Sequence, residues 1–178
     1  MSTIFSLSIL QSALELGCIY ALVALALFLS FSILNIADLS TDGCFTLGCA
    51  VGAMVTLSGH PYLALFAATG AGVCSGFVTA FLQTRMGVPS ILAGIIVNTG
   101  LYTVNIAVMG FSSNVNLFAC DTVFSLAKEK LSYGWYENWY KLLITLVIVL
   151  AVGVLLSLFL NTRLGLSIRA TGDNEHMV

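Results

Sequence analysis

Charge is what this sequence has least of. Lys, Arg, Asp and Glu together make up 8% of 178 residues, against about 25% in an ordinary soluble domain. Six basic and eight acidic side chains cannot clothe a water-facing surface of this size. That scarcity excludes a cytosolic enzyme, and the lack of any basic patch excludes a nucleic-acid binder. Proline is nearly missing as well, with two residues, and histidine occurs twice. His60 precedes Pro61 in a turn and has no partner at metal-ligand spacing. No nucleophile–base pair, phosphate-binding glycine loop or metal cluster is present. The sequence therefore points to no catalytic residue, no metal and no cofactor. Lys and Arg are absent ahead of the first apolar run, and Glu15 interrupts that run. A cleavable signal peptide has neither feature.

What is present is hydrophobic length. Apolar residues make up 59% of the chain, and mean hydropathy is +1.04. At about 20 residues per span, the composition predicts an all-α integral membrane protein with about five transmembrane helices. The first is expected from about residue 8 to 34. A polar knot follows, Asn35 to Asp42. Gly43 to Leu57 is a short second span, ~22 Å as a helix. It either starts below the membrane edge or draws the polar knot into the bilayer. The third span is Tyr62 to Leu82. The fourth has Pro89 at its first turn, where a missing N–H is harmless, and runs to about Gly110. The fifth is Leu142 to Leu160 and carries no charge.

Residues 111–141 form the long polar connection. Asp121 or Thr122 can cap a short amphipathic helix there, with Val123, Phe124, Ala127 and Leu131 as its apolar face. Trp135, Tyr136, Trp139 and Tyr140 suit the headgroup level of a bilayer. In the tail, 161–178, Gly172 can end one short helix. Asp173 or Asn174 can cap the next, with Glu175 in its first turn. The cysteines Cys18, Cys44, Cys49, Cys74 and Cys120 match no disulfide or zinc framework; the first four lie in apolar runs and read as small packing residues, while Cys120 sits near a polar loop, where a thiol can be reactive. Gly48–Gly52 and Gly72–Gly76 are GxxxG spacings, which let membrane helices approach closely. Orientation is not set by charge, because Arg85, Arg163 and Arg169 stand against Lys128, Lys130 and Lys141.

Few polar side chains lie within the apolar runs. Asp38 and Asp42 are four apart, which on a helix would place them on one face. They fit an interfacial turn that caps the second helix, or a polar lining where a helix is broken. A catalytic aspartate dyad lacks a second matching motif. Glu15 reads as a snorkelling or helix-end carboxylate. Asn98 and Asn105, seven apart, read as interhelical hydrogen-bonding residues. On these residues alone, an ion- or proton-coupled transporter or channel using Asp38, Asp42 and Glu15 stays open. So does a non-transporting membrane scaffold.

Two segments together resemble a known family. NIADLSTDGCFTLGCAV at 35–51 is similar to the region after the first helix in permeases of bacterial ABC importers, in the branched-chain amino-acid and sugar permease family. TRLGLSIRATGDNEHMV at 162–178 is similar to that family's cytoplasmic coupling segment, and SSNVNLF at 112–118 to an outer loop. The resemblance implies a permease subunit of the bacterial inner membrane, working as a homo- or heterodimer with a second permease subunit. ABC ATPase subunits would drive it from the cytoplasm, and an extracytoplasmic substrate-binding protein would deliver a small solute, an amino acid ahead of a sugar. Asn35, Asp38, Asp42 and Thr46 would lie near the substrate path. Arg163, Gly165, Arg169, Ala170, Gly172, Asp173, Asn174 and Glu175 would form the ATPase-coupling elbow. The tail would then be inside and the 111–141 loop outside. Residues 1–178 would be one transmembrane domain, incomplete at its C-terminus, because family members continue through further spans.

Overall fold

The computed structural model describes residues 7–118, 120–125 and 139–173, and in them every regular element is helical. Helix α1 is Leu7–Phe28, and it continues as a π-helical turn, Leu29–Ile33. Helices α2 (Thr41–Leu57), α3 (Pro61–Thr84), α4 (Ser90–Val108), α5 (Tyr140–Leu160) and α6 (Arg163–Asp173) follow. Four helical stretches are long and apolar enough to cross a membrane: Ile9–Ile33, Pro61–Thr84, Ser90–Val108 and Tyr140–Leu160. The 17-residue α2 is the shorter fifth. At 1.5 Å per residue it reaches ~26 Å, less than the ~30 Å hydrocarbon core. The surface agrees with this medium. Phe66, Val73, Phe77 and Leu155 are each exposed by more than 60%, which hydrocarbon tolerates and water does not.

The chain forms two compact units, Met1–Ile36 with Lys128–Val178, and Ala37–Ala127. In the second unit α2 packs against both α3 and α4. Its core is Leu47, Val97 and Leu101, with Cys44, Val51, Ala71 and Leu82 against them. The Gly48–Gly52 spacing is used in this packing. A Cβ on Gly48 would lie 3.5 Å from the Ala68 carbonyl, and one on Gly52 3.5 Å from the Ala68 Cβ. Gly72 and Gly76 face open space. On α4 the inward stripe is Ala93, Val97, Leu101 and Asn105, at intervals of four, with Gly94 beside it. In the first unit α1 packs against α5, and α6 packs against both α5 and the π-helical turn.

Two expected boundaries move. Pro61, not Pro89, occupies the first turn of its helix, while Pro89 sits at the N-cap position with extended ψ of 139°. Its carbonyl accepts the first helical bond, from the Ala93 N–H at 2.9 Å. Gly172 does not end the tail helix, since α6 runs through it to Asp173. Its missing Cβ serves a close contact with Ile33 instead of a left-handed cap. The cap and first turn proposed at Asn174 and Glu175 lie outside the described residues. So do Ala127 and Leu131 of the amphipathic loop helix, its charges at 128–130, and Trp135 and Tyr136. The cap of that helix is described. Thr122 Oγ1 accepts from the Ser125 N–H at 3.2 Å, and Ser125 Oγ accepts from the Thr122 N–H at 2.8 Å, a reciprocal capping arrangement.

Candidate functional site: a broken helix and an external elbow

The break between α1 and α2 is built from the residues upward. The π-helical turn closes with the Leu34 N–H donating to the Leu29 carbonyl at 3.0 Å. Ser30 then binds Ile36 twice. Its carbonyl accepts the Ile36 N–H at 3.0 Å, and its hydroxyl donates to the Ile36 carbonyl at 2.7 Å. Between these contacts Asn35 takes φ of 54°. Asparagine is one of the few non-glycine residues that tolerate this left-handed region. A turn of π-helix followed by an αL residue ends α1 without a proline or a glycine.

In the second unit the chain is fixed again at Ser40. That residue is 1% exposed. Its N–H donates to Asp38 Oδ1 at 2.8 Å, and its hydroxyl accepts from Thr79 Oγ1 of α3 at 3.1 Å. Thr79 is itself 2% exposed. A buried hydroxyl pair of this kind avoids the several-kcal/mol cost, of order 2–7 kcal/mol, of burying unpaired polar groups. Leu39 packs so tightly on α4 that a Cβ on Gly94 would stand 2.8 Å from the Leu39 nitrogen.

Of the local geometries open to Asp38 and Asp42, a shared helical face or a turn ahead of the second helix, the structure has the turn. Asp38 precedes the helix, held in an Asx turn by the Ser40 N–H. Asp42 lies in the first turn of α2, where a carboxylate meets the positive end of the helix dipole. Asp42 and Thr46 share the exposed side of α2, and Thr46 Oγ1 donates to the Asp42 carbonyl at 2.8 Å. The adjoining stripe of Gly43, Leu47 and Ala50 is buried. Asp38, Asp42 and Thr46 thus belong to one unit, while Asn35, exposed, belongs to the other.

Asn98 and Asn105 do not act as expected. Asn98 is exposed, with its Oδ1 close to Gly43. Asn105 is buried, and its Oδ1 has no partner. Neither joins another helix by a side-chain hydrogen bond among the described residues. Glu15, two turns into α1, is half-buried and accepts from Gln11 Nε2 at 3.0 Å.

The second feature is the elbow from α5 into α6. Thr162 caps α6, its Oγ1 accepting from the Gly165 N–H at 3.3 Å. Gly165 is buried against the backbone of Leu160 and the carbonyl of Phe159, where a Cβ would overlap both. Ile168, Thr171 and Gly172 face inward or are half-buried. Arg163, Leu164, Leu166, Arg169 and Ala170 are exposed. Of the expected elbow residues, Arg163, Arg169 and Ala170 therefore point outward, while the two glycines are contacts within the unit. Sequence reasoning missed Ser40's partner Thr79, the close approach at Gly94, and the Thr162 cap. Only the last had a local signal, a threonine immediately ahead of an amphipathic stretch.

Comparison with known proteins then bears on these features. The family model described as "Branched-chain amino acid transport system / permease component" matches residues 9–178. The tyrosine transport system permease protein of Clostridioides difficile (strain R20291) is 30% identical over 168 residues, 94% of this chain and 53% of that protein. An uncharacterized protein of Rickettsia prowazekii (strain Madrid E) is 30% identical over 173 residues, 97% of this chain and 58% of that protein. This chain thus spans about half the length of the curated relatives it matches. No solved structure matches. The family match covers both the broken helix and the elbow, and the chain belongs to the branched-chain amino acid transport system permease family.

Proposed function

We propose that this chain is a permease subunit of an ABC importer, contributing part of the path for a small solute. The observation that carries the reading is the family match across residues 9–178, which takes in all four long apolar stretches. Such a chain is a multi-pass protein of the bacterial inner membrane. It is a transport component and not an enzyme, and ATP hydrolysis belongs to a separate ATPase subunit. A tyrosine transport permease among its relatives supports an amino acid as the solute class.

In this reading α6 is the coupling helix. Its outward face, with Arg163, Arg169 and Ala170, docks on the ATPase, and Asp173 is its last residue. A cation-bearing face suits an acidic groove. Asp38, Asp42 and Thr46 line the path near the start of α2, and Asn35 adjoins them along the chain. A second permease subunit completes the path, and an extracytoplasmic binding protein delivers the solute. The work done is mechanical: closure of the ATPases moves α6, and access to the path switches sides.

The test is charge reversal. Arg169→Glu and Asp173→Lys are each expected to lower co-purification of the ATPase at least tenfold while membrane insertion is unchanged. Retention of the ATPase at wild-type stoichiometry by both variants would remove the coupling assignment. Transport that persists without any ATPase, and is abolished by Asp38→Asn or Glu15→Gln, would favour an ion-coupled carrier.

A further inference from the structure

The elbow helix does more than face outward, because its inner side touches the end of α1. Gly172 lies with its bare Cα directly against the carbonyl oxygen of Ile33, so close that any Cβ would overlap it. Ile33 is the last residue of the π-helical turn. Turns of this kind are rare and recur at functional sites. One residue later the polar chain Leu34–Ser40 begins. Its first part is clamped to the same turn by the two Ser30–Ile36 hydrogen bonds. Its far end is fixed by Asp38 and Thr79 at Ser40. At its other end α6 is seated by Gly165 on the backbone of Leu160. Glycine-to-backbone contacts thus fasten α6 at two points, and one of them is the π-helical turn at the end of α1.

We propose that Gly172 is a positioning residue that ties displacement of α6 to the π-helical turn, and through Ser30 and Ile36 to Asn35. A methyl group there would push α6 away from Ile33 while leaving its outward, ATPase-facing side in place. The proposal rests on the permease reading and adds to it the route by which the elbow reaches the path.

The test uses the intact transporter purified from its own membranes with its ATPase bound. The native cysteines are replaced by serine, and Asn35→Cys is labelled with a water-soluble maleimide. In the otherwise wild-type protein, trapping with ATP and orthovanadate is expected to change the labelling rate at least threefold. Gly172→Ala is expected to abolish that change while the ATPase still co-purifies and basal hydrolysis is retained. Gly153→Ala, at a glycine with nothing near it, is expected to keep the full change. A nucleotide response retained in Gly172→Ala would overturn this link and leave the permease reading standing. Failure of the parent complex to carry an ATPase would overturn both. Hydrogen exchange on the unsubstituted complex needs no variant. Amides of 29–34 and of α6 are expected to change protection together on nucleotide binding. A change in α6 without one in 29–34 would also overturn the proposal.

Discussion

At the scale of single residues, the buried hydroxyl pair is the most consequential contact in the second unit. Thr79 and Ser40 are 39 positions apart and meet at 3.1 Å with almost no exposure. Interhelical hydrogen bonds in membranes are worth about 0.6 kcal/mol on average and up to about 1.7. Thr79→Val keeps the shape and removes the donor. Its destabilisation, and that of Ser40→Ala, should each be about 1 kcal/mol, with a coupling of about 0.6 kcal/mol in a double-mutant cycle. Reversible unfolding in mixed micelles measures it, and additive effects would show that the pair does not interact. Glycines provide a second contrast. Gly94→Ala must displace the Leu39 backbone, and overpacking of this kind costs about 1–3 kcal/mol. Gly48→Ala meets only ordinary van der Waals distances and should be neutral within error. Equal thermal stability of the two variants would contradict the packing of α4 on the polar chain. None of this was visible in the sequence. Thr79 sits in an apolar run like any other membrane threonine, and a close approach is a property of two segments at once.

At the scale of elements, hydropathy carried most of the information. Long apolar runs located α1, α3, α4 and α5 to within a few residues, because in hydrocarbon a backbone must satisfy its own hydrogen bonds and helix is the simplest way. The polar knot at 35–42 was legible as a break for the same reason. How α1 ends was not legible. Leu29–Ile33 reads as a continuing α-helix, and the Leu34–Leu29 backbone bond, the Ser30–Ile36 contacts and the φ of Asn35 distinguish it. Helical spacing alone left Asp38 and Asp42 open between a shared face and a turn, and the turn formed because the helix begins only after Ser40. Helix α6 makes the opposite case. Its amphipathic pattern was readable, but its attachment was not. Thr162 holds its first turn through the Gly165 N–H, and loss of such a cap costs about 1 kcal/mol. Thr162→Ala should therefore raise exchange of the Leu164–Leu166 amides several-fold, with Thr162→Ser restoring protection. Unchanged exchange in the alanine variant would show that packing of Gly165 alone seats the helix.

At the scale of the whole molecule, the open variable is which side of the membrane each connection faces. Charge is silent, with three basic residues on either side. The permease reading fixes the answer for a mechanical reason: ATP is cytoplasmic, so a helix that meets an ATPase must be cytoplasmic too. On that reading, with α5 as the span that leads into α6, Trp139 and Tyr140 are expected at the outer headgroup level and the SSNVNLF segment outside. The prediction is specific to two positions. In a chain whose other cysteines are serine, the native Cys120, half-buried in the loop, should react with a membrane-impermeant maleimide in intact cells. Ser167→Cys, on the exposed side of α6, should react only after permeabilisation. The reverse pattern would put α6 outside, out of reach of any ATPase. It would remove the coupling role of Arg163 and Arg169 and the route through Gly172, and leave the helices and their packing as they are. That asymmetry is physical. The fold follows from hydropathy and backbone satisfaction, which are the same in either direction, whereas the function requires one direction only.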